Sequence, residues 1–480
     1  MKAPRLTRTG NAPAPGIVHF GPGAFFRAHL APYTDEALQA AGGDWGIVAV
    51  SLKSPTARDQ LAPQGGVYTS VALAADGMAP KVISAITDVL VAPEDPDAII
   101  DVLADPAIRI VSLTITEKGY GYDPATGGLD PAHPDIAHDL SNPNFPTSAI
   151  GLIVAGLEVR RQSNTPPFAV LSCDNLLSNG ALTRAATLNF ARRVSPNIAD
   201  WIAAEVSFPS TMVDRITPAT TDANRAALVD LTGTMDSAAV FHEPFRQWVI
   251  EGDFPTGRPA WEAAGAQLVR NVEAHELMKL RCLNGTHSTL AYLGYLAGYE
   301  TIADTVANPD FARFCEVLWR EEITPAVPKP EGEDLSAYCA TLMRRYRDPA
   351  IWHRTWQIAM DGSQKLPQRL LGTVADTLAM GRVPHGLCLA VAGWMRYVGA
   401  VDEDGQPIDV RDPMAERLQT AGTVEALLAI REIFPENLAV QSGFRDSVRA
   451  AYHALERDGA RATVRAFVAA HENGLADDQD

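Results

Sequence analysis

Apolar residues in the first half of the chain fall in short continuous runs, separated by stretches with helical spacing. GIVHF (16–20) ends in a glycine turn, and AFFRAHLAPYTDEALQAAG after it is compatible with a helix. DWGIVAVSL (44–52), IRIVSLTIT (108–116) and FAVLSCDNL (168–176) are runs of the kind buried on both faces of a parallel sheet. SAIGLIVAGLEVRRQ (148–162) lies between the last two and has a helical period. VYTSVALA (67–74) and KVISAITDVLV (81–91) read as paired antiparallel strands around the turn ADGMAP. Strand–helix alternation of this kind predicts a doubly wound α/β domain of Rossmann type.

The pattern changes near residue 270. Helical periodicity dominates from there, as in HSTLAYLGYLAGYETIADTVAN and PDFARFCEVLWREEITPAV, and strand-like runs become scarce. LCLAVAGWMRYVGAV (387–401) is too short to span a bilayer and is interrupted by Arg396, so it reads as a buried helix. The expected division is a Rossmann-type domain over residues 1–270 and a mostly α-helical domain over residues 271–480.

Composition narrows the function more than the fold. A net charge of −18 argues against coating nucleic acid or an anionic membrane, while a local basic cluster can still serve a small anionic substrate. Cys173, Cys282, Cys315, Cys339 and Cys388 are odd in number and include no CxxC pair. With no signal-peptide-like run at the start, they point to reduced thiols and the cytoplasm, and they give a zinc site no support.

Gly21 and Gly23 follow the first strand directly. A Rossmann turn uses one glycine for the bend and another for close approach to a pyrophosphate. The third glycine of that fingerprint is absent, with Phe26 in its place, so taken alone a plain strand–helix turn is an equal reading, and the turn's place near the N-terminus, before a second strand, favours the cofactor. The second strand ends in AVSLKSPTARD, where Ser51 stands and no acid appears before Asp59. Lys53 and Arg58 there would suit a 2′-phosphate, which leaves both NAD and NADP open.

HELMKLRCLNGTHS (275–288) carries the most chemistry. Around an ideal helix, Lys279 and Asn284 stand about 140° apart and Lys279 and His287 about 80°. One reading makes Asn284 the cap of a helix starting at Gly285, with Lys279 solvated. The other makes Lys279, Asn284 and His287 converge, through the reach of the lysine or an irregular helix.

Several segments, in order, resemble the mannitol dehydrogenase family of polyol-specific long-chain dehydrogenases: GPGAFFRAH (21–29), VSLTITEKGY (111–120), SCDN (172–175), TMVDRITP (211–218), KLRCLNGTHSTLAYLGYLAGYETI (279–302) and DGSQKLPQR (361–369). The resemblance implies a zinc-independent, NAD(P)-dependent dehydrogenase with Lys279 as general acid and base. Asn175 and Asn284 would hold the substrate oxygen, His287 would orient substrate or lysine, and Glu276 would relay protons. On the cofactor side it implies Gly21, Gly23, Phe25, Arg27, Ser51 and Glu117, and on the substrate side Asp214 and Lys365. Phe26 departs from the family's usual histidine before Arg27.

EPFRQWVIE (243–251), HRTWQIAMDGSQKLPQRLL (353–371) and VAGWMRY (391–397) look most like the branch that reduces D-fructuronate to D-mannonate in hexuronate catabolism. A uronate needs a cation for its carboxylate, for which Arg354, Lys365 and Arg369 are candidates. Gln357 stands where some polyol-specific members have arginine. The alternatives are a mannitol 2-dehydrogenase or related polyol enzyme, and a non-catalytic nucleotide-binding sensor, which would have no need of Lys279. Nothing in the sequence sets the oligomeric state.

Overall fold

The computed structural model describes residues 3–74, 76–123 and 128–477. The chain forms two compact units, Met1–Glu273 and Ala274–Asp480.

The first unit is built on a five-stranded sheet. In chain order its strands are β1 (Pro15–Phe20), β2 (Gly46–Ser51), β3 (Ile86–Val91), β4 (Ile110–Leu113) and β5 (Ala169–Ser172). All neighbours pair in parallel, in the spatial order β3-β2-β1-β4-β5. This is the doubly wound Rossmann order, which reverses direction beside β1.

Alternation along each strand sorts the core into two layers. Val18, Phe20, Val50, Val111, Leu113 and Val170 pack with Leu103, Ile150 and Leu157 from helices Pro96–Ala104 and Ala149–Gln162. Ile17, Ile47, Ala49, Ile110 and Leu171 face the other way, toward Tyr33, Trp248 and Trp261. Both faces are therefore dry, which is why these strands read as continuous apolar runs rather than as alternation.

Two expected elements differ. The run 81–91 is not one strand: residues up to Ile83 finish a strand, Gly77–Ile83, that pairs antiparallel with Tyr68–Ala74, whereas Ile86–Val91 joins the parallel sheet beside β2. The break falls at Ser84, whose backbone N–H and hydroxyl both donate to the Asp35 carboxylate. Ala75, part of the expected turn, lies outside the described residues. The helix after the glycine turn is also divided, into Ala24–Ala28 and Leu30–Ala41, at His29 with φ −126° and ψ −83°. The imidazole of His29 bonds the Gln247 carbonyl oxygen at 3.0 Å and packs against Trp248, so tertiary contacts fix the break.

The second unit is mostly helical. His385–Val398 is its central helix, buried along almost its whole length, including Leu387, Val391, Trp394 and Met395. Around it one apolar core runs from Met278 to Val468. Among the described residues no helix is long and apolar enough to cross a membrane.

Three stretches of this unit are wound as π-helix: Lys279–Gly285, Leu318–Ile323 and Pro367–Leu371. π-Turns are rare and tend to occur at functional sites. Here the first carries the sequence's main chemical motif.

Candidate functional site

In the sheet unit the candidate residues gather at the carboxyl ends of the parallel strands, where open α/β sheets bind ligands. Gly21 follows β1 with φ +92°, and a Cβ there would lie 2.2 Å from the Thr114 carbonyl oxygen. Conformation and space both require glycine. Gly23 is different: it is exposed, and a Cβ would meet only the Gly21 carbonyl oxygen at 3.9 Å. The residue leaves room for the close approach of a ligand. Beneath the turn, buried His19 stacks on Phe26 at 3.7 Å and bonds Ser112 Oγ at 2.8 Å and Thr114 Oγ1 at 3.0 Å. Burial pulls its pKa down to about 3, so it is a neutral strut. Phe26 is thus a core residue, which accounts for an apolar side chain at that position.

Phe25 stacks on the His29 ring at 5.0 Å. The Arg27 guanidinium turns to scaffold carbonyls, donating to Ala238 at 2.6 Å and Gly23 at 3.4 Å. Ser51 ends β2 and donates its hydroxyl to the Ser54 carbonyl at 2.5 Å. Nearby, Arg58 is paired with both Asp59 and Glu94, and exposed Lys53 stands 3.7 Å from Asp135.

Glu117 is exposed and opens the 3₁₀ turn Glu117–Tyr120 after β4. The residue before it, Thr116, has φ +63°, an uncommon backbone for a β-branched side chain. Asp174, in SCDN after β5, holds this loop. Its carboxylate accepts from Ile115 N at 3.0 Å, Thr116 N at 2.9 Å and Tyr120 Oη at 2.8 Å. The candidate Asn175 comes next and is exposed, while Asp214 is buried at the end of strand Ser210–Asp214. Asp174 went unremarked in the sequence, although the SCDN motif contained it.

In the helical unit, Glu276, Lys279, Asn284 and His287 lie on one continuous helical stretch from Glu273 to Leu296. Asn284 is therefore not an N-cap. The turn Lys279–Gly285 is wound with i→i+5 bonding, which stacks residues five apart. Lys279 and Asn284 consequently share a face that a regular α-helix would deny them.

Side chains take up the carbonyls that such a turn releases. Trp319 Nε1 donates to the Cys282 carbonyl at 2.9 Å, Thr286 Oγ1 donates to the same oxygen at 2.6 Å, and Tyr346 Oη donates to the Leu283 carbonyl at 2.9 Å. Gly285 has ordinary helical φ, −63°, yet a Cβ there would stand 2.8 Å from the Arg369 carbonyl oxygen. Glycine here lets the π-turn Pro367–Leu371 dock against the first.

His287 is the centre of a second cluster. Its Nε2 lies 3.3 Å from His353 Nδ1, and its ring stacks on Tyr346 at 5.5 Å. Arg369 Nη1 donates to Ser288 Oγ at 3.0 Å. Burial, then the charges of His353, Arg369, Arg345 and Lys365, hold the His287 imidazole well below its ordinary pKa, so it is neutral. Burial brings His353 down to about 4. Lys365 donates to the Met360 carbonyl at 2.5 Å, and burial followed by Arg369 lowers its ammonium to about 8. Arg354 is exposed, with Nε 3.7 Å from Glu300. The structure thus brings His287 together with His353, Arg369 and Lys365, and leaves Arg354 outside that cluster. No periodicity or spacing marks His353.

Among the described residues, no three His, Cys, Asp or Glu side chains converge as metal ligands.

Comparison with known proteins decides what these features belong to. Residues 15–263 match the mannitol dehydrogenase Rossmann domain and residues 271–456 the mannitol dehydrogenase C-terminal domain. The chain belongs to the mannitol dehydrogenase family. It is 47% identical to the D-mannonate oxidoreductase of Escherichia coli K12, over 94% of this chain and 95% of that one. A mannitol 2-dehydrogenase of Aspergillus fumigatus is 40% identical over 98% and 96% of the two chains. Among solved structures, Pseudomonas fluorescens mannitol 2-dehydrogenase, in a ternary complex with NAD and D-mannitol, superposes with a TM-score of 0.84 at 39% identity and covers 97% of each chain. As a member of the mannitol dehydrogenase family, the chain is an oxidoreductase acting on a sugar alcohol or sugar acid.

Proposed function

We propose that the chain reduces D-fructuronate to D-mannonate, reversibly and with NAD as cofactor, as a step of hexuronate catabolism. The observation that carries this reading is the 47% identity to a D-mannonate oxidoreductase along nearly the whole of both chains. The five buried thiols suit a reducing compartment, the cytoplasm.

The glycine turn fits a dinucleotide, because Gly23 leaves room for a close approach at the switch in strand order beside β1. Gly21, Gly23, Phe25, Arg27, Ser51 and Glu117 are the residues assigned to hold it. When bound, the nicotinamide supplies or accepts the hydride. NAD is favoured over NADP because Arg58 is already committed to Asp59 and Glu94, whose carboxylates would repel a 2′-phosphate.

The proton falls to Lys279, without a metal. Its ammonium donates to the oxygen of the carbonyl being reduced, and in the reverse direction its neutral amine takes the hydroxyl proton. Asn284 shares its face through the π-turn and donates its amide N–H to that same oxygen, with Asn175 in the same role. Neutral His287 orients the substrate, Glu276 relays the proton, and Asp214 and Lys365 bind the substrate.

The second reading, a mannitol 2-dehydrogenase, draws on the 39–40% identity to such enzymes. A comparison of kcat/KM for fructuronate and fructose, each with NADH and NADPH, separates the two. Higher kcat/KM for fructuronate with NADH is expected, and a value for fructose equal or greater would sink the uronate reading. Tight cofactor binding with no turnover of any ketose would instead mark a sensor.

A further inference from the structure

We infer that Arg369, with the His287–His353 imidazole pair beside it, forms an anion subsite that receives the carboxylate of a sugar acid. This rests on the uronate reading above and assigns the carboxylate contact to a residue.

Arg369 is a shielded cation without a counter-charge. Its surroundings contribute the hydroxyls of Tyr292 and Tyr346, and among the described residues no carboxylate pairs with it. A guanidinium carries five N–H donors, and Ser288 Oγ takes one of them. The carboxylates in the neighbourhood are engaged elsewhere: Asp361 stands 3.9 Å from Lys365, and Asp412 accepts from the Ser363 N–H and hydroxyl. A guanidinium held out of water without an anion is unfavourable unless an anionic ligand completes the site.

The position also suits the substrate. Arg369 is held at Ser288, four residues beyond Asn284, which is about 6 Å along a helix at about 1.5 Å per residue. In fructuronate the carboxylate stands four carbon–carbon bonds from the ketone, about 5 Å when extended at roughly 1.5 Å per bond. A ketone oxygen at Lys279 and Asn284 therefore places the carboxylate near Arg369. The docking of Arg369's own π-turn on Gly285 fixes that spacing. Arg354 lacks these features, being exposed and facing Glu300.

The test is kcat/KM for fructuronate and fructose, with NADH, in the unaltered enzyme and in Arg369→Gln, Arg369→Lys and Arg354→Gln. Arg369→Gln is expected to lose about 10- to 100-fold on fructuronate, mainly through KM, the scale of a charge-assisted hydrogen bond, and only a few-fold on fructose. Arg369→Lys keeps the charge without the planar fork and should recover part of the loss. If Arg369→Gln does not fold, the lysine variant decides: a selective loss on fructuronate supports the subsite, and none overturns it. Equal losses on both substrates, or a selective loss from Arg354→Gln in place of Arg369→Gln, would overturn the subsite while the uronate reading stands. Preference of the unaltered enzyme for fructose would remove the uronate reading and the subsite together.

Discussion

Each unit has one glycine on which its local chemistry depends, and the two do different work. Gly21 in the sheet unit needs a positive φ and has no room for a side chain. Gly285 in the helical unit has an ordinary helical backbone and needs only the room, because another π-turn presses on it. The first glycine shapes its own turn, whereas the second permits an approach by residues more than eighty positions away. A glycine is thus explained by conformation in one unit and by packing in the other, and substitutions should tell them apart.

The largest effect belongs to neither glycine but to the group that the second one positions. Lys279→Ala should lower kcat by about 10²- to 10⁴-fold, the range of general acid–base catalysis, with NADH affinity nearly unchanged. Near-normal turnover would remove Lys279 from the chemistry. Gly21→Ala combines strain with a collision against backbone and should destabilise the sheet unit by about 2–4 kcal/mol, visible as a lower Tm and weaker NADH binding. Gly285→Ala carries no φ penalty, and alanine is the better helix former by about 1 kcal/mol. Its Tm should move little while kcat falls by about 10-fold, on the scale of a displaced catalytic group. If Gly285→Ala melts as early as Gly21→Ala, the distinction between the two glycines fails.

The smallest effect separates the units by pH. Burial holds His19, His29 and His242 near 3, so the folded sheet unit binds fewer protons than its unfolded chain below 6.5. Their contribution is complete above pH 6.5 and is lost as pH falls toward 3. Glu322 in the helical unit runs the other way. Burial raises it to about 7, against the opposing donation of the Gly386 and Leu387 N–H groups to its carboxylate. Its contribution is complete below 4.5 and is lost as pH rises through 7, which offsets part of the acid loss from His287 and His353. Comparing Tm of the native protein with Glu322→Gln from pH 5 to 7.5 should show a pH-dependent difference on the order of 1 kcal/mol. A constant offset across that range would mean Glu322 is ionised throughout.

Much of this architecture was legible because burial on both faces writes a simple signal. The runs at 16–20, 44–52, 108–116 and 168–176 each fall on a strand of the parallel sheet. The run at 81–91 concealed a strand change, since apolar residues flank Ser84 on both sides and only Asp35, far away in sequence, marks the break. The break at His29 was hidden for the same reason, its partner being the carbonyl of Gln247. The π-turn could not be read from periodicity, because seven residues are too few to change it. The side chains that satisfy its carbonyls, Trp319 and Tyr346, come from remote segments. Family resemblance pointed to Lys279, Asn284 and His287, but neither it nor the spacing indicated His353, which meets His287 only through the fold.

The cysteines allow the opening of each unit to be timed. All five are buried, and burial raises the thiols of Cys173, Cys315 and Cys388 well above the usual range, so they react slowly with disulfide reagents in the closed protein. Cys173 is in the sheet unit, and the other four are in the helical one, with Cys282 inside the π-turn itself. Labelling rates followed by peptide mass would therefore act as five clocks, one for the sheet unit and four for the helical unit, each advancing only when its own surroundings breathe.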